Sequence, residues 1–224
     1  MTFSIVARCA ETGWFGMAVA SSSPAVAARC AHARAGVGAV ASQNITDPAL
    51  GPRVLDLMAL GASAEQAIAA LRGSTEHMDY RQVLAVDNRG RTATHSGPRA
   101  LGVWASAEGE NVACGGNLLA DPQVPAAMVE SFEASQGHLG DRLLLAMRAG
   151  LARGGEAGPI HSAGLKLVDA VSWPVADLRV DWTQDCPIAG VEALWALYQP
   201  QLDAYVIRAL HPTGAPSYGV PGDL

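Results

Sequence analysis

The chain of 224 residues is half hydrophobic and only 16% charged, which excludes a disordered protein and provides apolar material for one large core. Its net charge is −6, with Lys and Arg scattered rather than clustered, so there is no footprint for a polyanion and nucleic acid is not an expected partner. No apolar run reaches the length of a membrane span and Met1-Thr2-Phe3-Ser4-Ile5 does not read as a leader, so the expectation is a cytoplasmic protein with no membrane partner.

In chain order, residues 3–9 alternate Phe3, Ile5, Ala7 and Cys9 against Ser4, Val6 and Arg8. After the turn signal Glu11-Thr12-Gly13 a second apolar run passes through Met17, Ala18 and Val19, which predicts an N-terminal hairpin. Ser21-Ser22-Ser23-Pro24 ends the second strand, and the small and β-branched residues of 36–41 predict a third, buried strand before a loop over 44–52. Helices are expected over 51–60 and 63–72, the second capped by Ser63. Strands over 80–86 and 91–95 flank Asp87-Asn88-Arg89-Gly90, whose composition suits a tight hairpin turn. A strand around 110–118 ends at Gly115-Gly116-Asn117, and helices over 122–134 and 139–152 each carry one apolar face that needs a sheet to cover. Strands over 160–171 and 178–182 precede a terminal helical region interrupted at Pro200, and the Pro- and Gly-rich tail from about 211 reads as irregular. This order lacks the strict alternation of a doubly wound parallel sheet. It predicts one domain over 1–224, built of stacked antiparallel sheets flanked by helices.

Several segments resemble a bacterial and archaeal family. They are Thr2-Phe3-Ser4-Ile5-Val6-Ala7-Arg8, Glu11-Thr12-Gly13, Gly16-Met17-Ala18-Val19-Ala20-Ser21 and Ala35-Gly36-Val37-Gly38-Ala39-Val40-Ala41-Ser42-Gln43. Gly51-Pro52-Arg53, Arg81-Gln82-Val83, Gly116-Asn117-Leu118-Leu119 and His161-Ser162-Ala163-Gly164-Leu165 extend the likeness over most of the chain. The family is the domain-of-unknown-function 1028 family. The resemblance implies an α/β (α+β) fold of the Ntn-hydrolase type, a four-layer αββα sandwich, and no established substrate. It also implies a Thr at the mature N-terminus, with Met1 here in the place of a leader; a residue as small as Thr2 is one that methionine aminopeptidase tolerates.

In an enzyme of that kind, Thr2 supplies two groups. Its hydroxyl attacks an amide carbonyl, while its freed α-amine, with a reference pKa of about 7.7–8.0, accepts the proton. The competing reading makes Thr2 the β-branched start of an edge strand. Acyl transfer also needs oxyanion donors, for which Gly116 and Asn117 are candidates, although Gly-Gly-Asn equally turns a chain. Ser42, Gln43 and Asn44 at another strand end either bind substrate or satisfy buried backbone. The better-known threonine proteases of this superfamily place an aspartate after the second strand; this sequence has Ser21-Ser22-Ser23 there, and the supporting Asp–Lys pair is absent. That departure leaves two readings, a site that is not catalytic or one in which Ser21 and Arg34 are substitute hydrogen-bonders, with Ser22 and Ser23 read as turn residues before Pro24. His95, in Thr-His-Ser-Gly, is placed to reach a carbonyl or a leaving group; His32 and His161 read as structural. Arg179 and Asp181 alternate with Asp177 along a strand, to hold a substrate carboxylate or to pair with one another.

Cys9, Cys30, Cys114 and Cys186 show no C-x-x-C pairing and read as buried free thiols; catalysis through Cys9 or Cys114 is a third-ranked alternative. No spacing marks a metal site, and no cofactor is expected. Two functions therefore stand side by side: an N-terminal nucleophile amidohydrolase cleaving a small amide, or a small-molecule-binding or scaffold protein on the same fold. A homodimer is expected on general frequency alone.

Overall fold

The alternation at the start of the chain is realised as a hairpin of β1 (Thr2–Arg8) and β2 (Phe15–Ser21). In the computed structural model, which describes residues 1–220, this hairpin lies at the centre of a six-stranded sheet. Next come α1 (Val26–Cys30), β3 (Ala31–Arg34), β4 (Gly38–Asn44), α2 (Leu50–Ala59), α3 (Ala64–Ser74), β5 (Arg81–Asp87) and β6 (Thr92–Ser96). They are followed by β7 (Ala105–Gly109), β8 (Val112–Asn117), α4 (Val124–Ala134), α5 (Leu139–Ala152), β9 (Ser162–Val168), β10 (Ala176–Val180), α6 (Pro187–Tyr198) and α7 (Leu202–Leu210).

One sheet runs β10-β9-β2-β1-β8-β7 and the other β3-β4-β5-β6, every pairing antiparallel. Side-chain alternation sorts the faces. On β1, Phe3, Ile5 and Ala7 enter a core with Met128, Phe132, Leu143 and Met147 of α4 and α5, and Trp195 of α6 joins it. Val6 points the other way, into a cluster with Met17 and Val19 of β2, Ala39 and Ala41 of β4, and Leu84 and Val86 of β5. Val40, Val83 and Ala85 cover the outer face of the four-stranded sheet against Val54, Ile68 and Leu71 of α2 and α3. The packing order is thus helices, sheet, sheet, helices. Each fully buried Phe, Leu or Ile in these cores contributes about 1.5–3 kcal/mol.

Local chemistry explains where the elements begin. Ser63 caps α3 in a reciprocal capping box with Gln66, and Pro125 and Pro187 sit in the first turns of α4 and α6, where a missing N–H costs nothing. Pro200 falls in a 3-10 turn at Gln199–Gln201 between α6 and α7, the interruption expected there. Three elements depart from the expectations: α1 and β3 occupy 26–34, and β7 forms from Ala-Ser-Ala-Glu-Gly. α1 and β3 are too short to show a period, and β7 has no β-branched or aromatic residue to announce it. The buried strand expected over 36–41 starts at Gly38 and runs on to Asn44, absorbing the start of the expected loop. Beyond α7 the chain makes one 3-10 turn at Pro212–Gly214 and is otherwise irregular to residue 220; residues 221–224 of the tail lie outside the described residues.

At one flank the two sheets are stapled edge to edge. The Glu108 carboxylate of β7 accepts the hydroxyls of Thr92 (2.7 Å) and Thr94 (2.9 Å) of β6.

The β5–β6 turn is organised by Asp87, which is 1% exposed. Its carboxylate accepts the backbone N–H groups of Arg89 (2.9 Å), Arg91 (3.1 Å) and Ala64 (3.2 Å), as well as Arg91 Nε (2.8 Å). Replacing it deprives the buried Ala64 N–H and the turn N–H groups of Arg89 and Arg91 of their acceptor. Asp87→Ala should lower the unfolding free energy by about 2–4 kcal/mol, as read from urea denaturation.

Candidate functional site

Thr2 lies opposite Asn117 of β8, and one step beyond the Phe3–Ala20 pair it faces Ser21 of β2, which in turn pairs with Ser162 of β9. Residues in register across antiparallel strands project from the same face, so Asn117, Thr2, Ser21 and Ser162 form one row across four adjacent strands. All four are buried, Thr2 being 5% exposed. The row lies at one end of the sheet and looks toward the other sheet, as Ser4 shows two residues along: its hydroxyl donates to Gln43 Oε1 of β4 at 2.6 Å.

A polar network joins the two sheets behind this row. Gln43 Nε2 donates to Gln82 Oε1 (2.8 Å) and to the Gly115 carbonyl (3.2 Å). Gln82 Nε2 donates to Ser96 Oγ (2.9 Å) and the Gly116 carbonyl (3.1 Å), while Gln82 Oε1 also accepts Asn117 Nδ2 at 3.2 Å. Asn117 Oδ1, fully buried, has no hydrogen-bond partner among the described residues. Buried polar atoms are rarely left unpaired. The atom Asn117 holds in reserve is therefore an acceptor, whereas the sequence reading casts its amide as an oxyanion donor.

The Thr2 hydroxyl lies 2.5 Å from the Met1 carbonyl oxygen and 3.4 Å from Ser21 Oγ. Ser21 Oγ also donates to that same carbonyl and lies 2.8 Å from Ser23 Oγ. Ser162 Oγ donates to the Ser23 carbonyl (2.6 Å) and accepts Val26 N–H (3.2 Å), fixing the turn after β2.

An acid reaches this turn from elsewhere in the chain. Glu156, 4% exposed, accepts Ser22 N–H with both carboxylate oxygens, at 3.1 and 3.2 Å. Its loop is clamped to the end of β8 by Ala120 N–H to the Gly155 carbonyl (3.0 Å) and Ala157 N–H to the Leu118 carbonyl (2.9 Å). Gly154 and Gly155 adopt φ of 120° and 59°, which glycine takes without steric cost, and Leu118, opposite Ala157, is held at φ 51°, unusual for a residue with a side chain. Burial pushes the Glu156 carboxyl up to about 7, against the opposite pull of the positive charge on the Met1 nitrogen and of the Ser22 bonds.

Other candidates are placed apart from Thr2. His95 projects from the outer face of the four-stranded sheet, where Nε2 lies 2.9 Å from the Met78 carbonyl beside Arg72 and Gly73 of α3. Its neighbours in sequence, Thr94 and Ser96, point inward because strand side chains alternate. Ser42 likewise turns outward and donates to the Asp47 carbonyl at 2.9 Å. Asn44 braces two loops through the Tyr80 carbonyl and Leu101 N–H. Of this cluster only Gln43 joins the network behind Thr2. Gly116 sits in a strand paired on both sides, which commits its N–H to the ladder; a Cβ there would come within 2.5 Å of Leu119. Arg179 and Asp181 lie exposed at the β10 edge, 3.9 Å apart, and Asp177 pairs with Lys166 at 3.2 Å. Arg34 pairs with Asp56 at 2.8 Å. His161 is a neighbour of the row: its N–H donates to the Ser21 carbonyl (2.8 Å) and its ring stacks on Trp182 at 4.5 Å. Cys114 faces the helices, and burial drives its thiol pKa well up; Cys9 stands beyond the opposite end of β1. Among the described residues no group of His, Cys, Asp and Glu gathers as metal ligands would, and no helix is long and apolar enough to cross a membrane.

The profile of the family described as "Family of unknown function (DUF1028)" matches residues 2–191. The chain belongs to the DUF1028 family. A second DUF1028 member, protein SPO2555 from Silicibacter pomeroyi, has a crystal structure that superposes with a TM-score of 0.81 at 30% identity, covering 88% of each chain. Anbu (ancestral beta-subunit) from Yersinia bercovieri superposes with a TM-score of 0.40 at 12% identity, over 91% of this chain and 97% of its own. An Anbu Gly-1 mutant from Hyphomicrobium sp. strain MC1 gives 0.39 at 10%, over 92% and 99%. Both are too distant to inform this chain's chemistry. No curated protein matches the sequence.

Within this DUF1028 chain, Ser4, Gln82, Ser162 and Glu156 were not singled out by the sequence reading. The first three are polar residues set among the apolar ones of their strands, a signal visible in the sequence, whereas nothing local connects Glu156 to Ser22.

The Glu156 pKa sets the sign of a pH effect. The carboxyl titrates near 4.5 when unfolded and about 7 when folded, so its burial costs nothing below the first value and the full penalty above the second. Stability contributed at this residue is lost as pH rises between them. With residue 1 in place, Glu156→Gln should be more stable than the unmodified protein near pH 8, by up to about 3 kcal/mol, with the gap closing toward pH 4 in denaturant titrations.

Proposed function

We propose that this protein is an N-terminal nucleophile amidohydrolase that cleaves a small amide C–N bond through an acyl ester on Thr2. The observation that carries this reading is the row Asn117–Thr2–Ser21–Ser162: a β-branched hydroxyl buried at a sheet end, among polar side chains that an apolar core gives no reason to collect.

The reading requires the peptide bond between residues 1 and 2 to be cut, because only then does Thr2 carry a basic amine. Thr2 Oγ1 then adds to the substrate carbonyl carbon while its proton passes to the Thr2 amine. The C–N bond breaks, the amine returns that proton to the leaving nitrogen, and an ester to Oγ1 remains. Water next attacks the ester, guided by the same amine, and releases the acid with Thr2 restored. Ser21 Oγ, which donates to the Met1 carbonyl, is the hydroxyl best placed to polarise a substrate carbonyl. Asn117 Oδ1, unpaired and beside Thr2, is the acceptor available to an N–H of the freed amine. In this scheme Asn117 positions the base.

Two measurements test the reading. Intact mass of the purified protein should show residue 1 absent. Thr2→Ala should fold with unchanged stability yet lose about 10⁴-fold or more in kcat, whereas Thr2→Ser retains measurable turnover. Retention of residue 1 in active protein, or undiminished turnover by Thr2→Ala, would refute the mechanism and leave a binding protein on the same fold.

A further inference from the structure

We infer that Arg29 and Ser23 stabilise the oxyanion of the proposed reaction from behind Ser21. The guanidinium donates to Ser23 Oγ, Ser23 Oγ donates to Ser21 Oγ, and Ser21 Oγ donates to the carbonyl that Thr2 attacks. Neither Arg29 nor Ser23 touches the substrate, so both are positioning residues. The inference rests on Thr2 being the nucleophile.

Counting hydrogens gives the relay its direction. Ser21 Oγ donates to the Met1 carbonyl, whose place a substrate carbonyl takes in the proposed reaction, and a hydroxyl has one hydrogen to give. The 2.8 Å contact between Ser21 Oγ and Ser23 Oγ is therefore filled by the Ser23 hydrogen. Ser23 N–H donates to Ser21 Oγ as well, at 3.1 Å, so both lone pairs of that oxygen are taken. The Thr2 hydroxyl, 3.4 Å away, finds no lone pair left there. Ser21 is thus a donor to the carbonyl and not a base for the nucleophile.

Behind Ser23 stands Arg29 of α1. Its Nη2 lies 3.5 Å from Ser23 Oγ, long for a hydrogen bond but close for a charge, and a guanidinium can only donate, which agrees with the direction found from Ser21. Nη1 donates to the Pro24 (2.6 Å) and Ala25 (3.2 Å) carbonyls and holds the group against the turn. No carboxylate pairs with Arg29 among the described residues, so its charge is not cancelled at source. Arg34, the cation singled out in the sequence, is instead paired with Asp56.

The turn that carries the relay is fixed from two further directions. Glu156 takes Ser22 N–H, and Ser162 Oγ donates to the Ser23 carbonyl. Donors held in place beforehand need no reorganisation as negative charge develops on the carbonyl oxygen. Ser21 is fully buried, and away from water a hydroxyl that receives a strong donor becomes a stronger donor itself. The guanidinium charge thereby reaches the oxyanion through two hydroxyls.

The test follows acetylation of Thr2 by p-nitrophenyl acetate in protein whose mass shows residue 1 removed. Thr2 Oγ1 gains the acetyl group, its proton passes to the Thr2 amine and p-nitrophenolate leaves; peptide mass locates the product as a hydroxylamine-labile ester. Ser21→Ala should slow this step about 100-fold. Arg29→Met should slow it about 10-fold, with Arg29→Lys retaining most of the rate. In the Ser21→Ala background Arg29→Met should have no further effect, because the relay is already cut, whereas a residue that merely braces the turn would lower the rate again. Should Arg29→Met fail to fold, Ser23→Ala cuts the middle link and completes the same cycle. Unchanged acetylation in the single variant, or the same loss in both backgrounds, overturns the relay and leaves Thr2 as the nucleophile. No acetyl ester on Thr2 in the protein without substitutions refutes the hydrolase reading, and the relay with it.

Discussion

Between the two sheets, out of reach of water, Gln82 uses its side-chain oxygen and nitrogen to tie together four strands: it accepts from Gln43 and Asn117, and donates to Ser96 and the Gly116 carbonyl. A sheet–sheet interface held only by apolar contact tolerates sliding by a fraction of a residue, because dispersion is not directional. This one does not. Each mismatched donor or acceptor would cost about 1–3 kcal/mol, so the network selects one alignment of β5 against β8. That alignment fixes Asn117, and with it the strand position opposite which Thr2 must stand.

The apolar and polar ends of the same strands divide the work. Toward the far end of β1, Val6 meets Met17, Leu84 and Val86 in a packed cluster. Toward the near end the side chains shrink and become polar, and two departures from ordinary backbone geometry appear together: Leu118 with positive φ, and the Gly154-Gly155 pair opposite Ala120. Strained backbone of this sort costs on the order of 1–3 kcal/mol and persists where the surroundings hold it. Here the ladder on one side and the cross-loop bonds at Ala120 and Ala157 do the holding, and the result is an acid delivered beside Ser22 from a point far along the chain.

How far the sequence announced this differs between fold and site. The hairpin at β1–β2, the capped α3, the Asp87 turn and the paired helices α4 and α5 were legible because each follows from a short-range rule: period, cap or turn chemistry. The segment 26–34 was not, since five helical and four extended residues carry no period, and β7 was hidden by a composition that suits a loop. Within the site, Thr2, Ser21, Gln43 and Asn117 were recognisable as polar residues at strand ends. Glu156 was not, because nothing local connects it to Ser22; only the folding of its loop against the end of β8 does. His95 misled for the converse reason: its polar neighbours suggested a site, but alternation along β6 sends its ring to the opposite face from Ser96.

The Glu108 staple also bears on how the molecule meets its own copies at high concentration. Each sheet ends, on that flank, in a strand whose free hydrogen-bonding groups would ordinarily invite another chain to extend it. With β6 and β7 bound side by side through Thr92 and Thr94, the two unsatisfied rims screen one another. The opposite rim at β10 carries charge, through Asp177 and Arg179, which repels such templating by another route. Runaway fibre-like stacking is thus guarded against at both margins of the larger sheet by inexpensive surface chemistry.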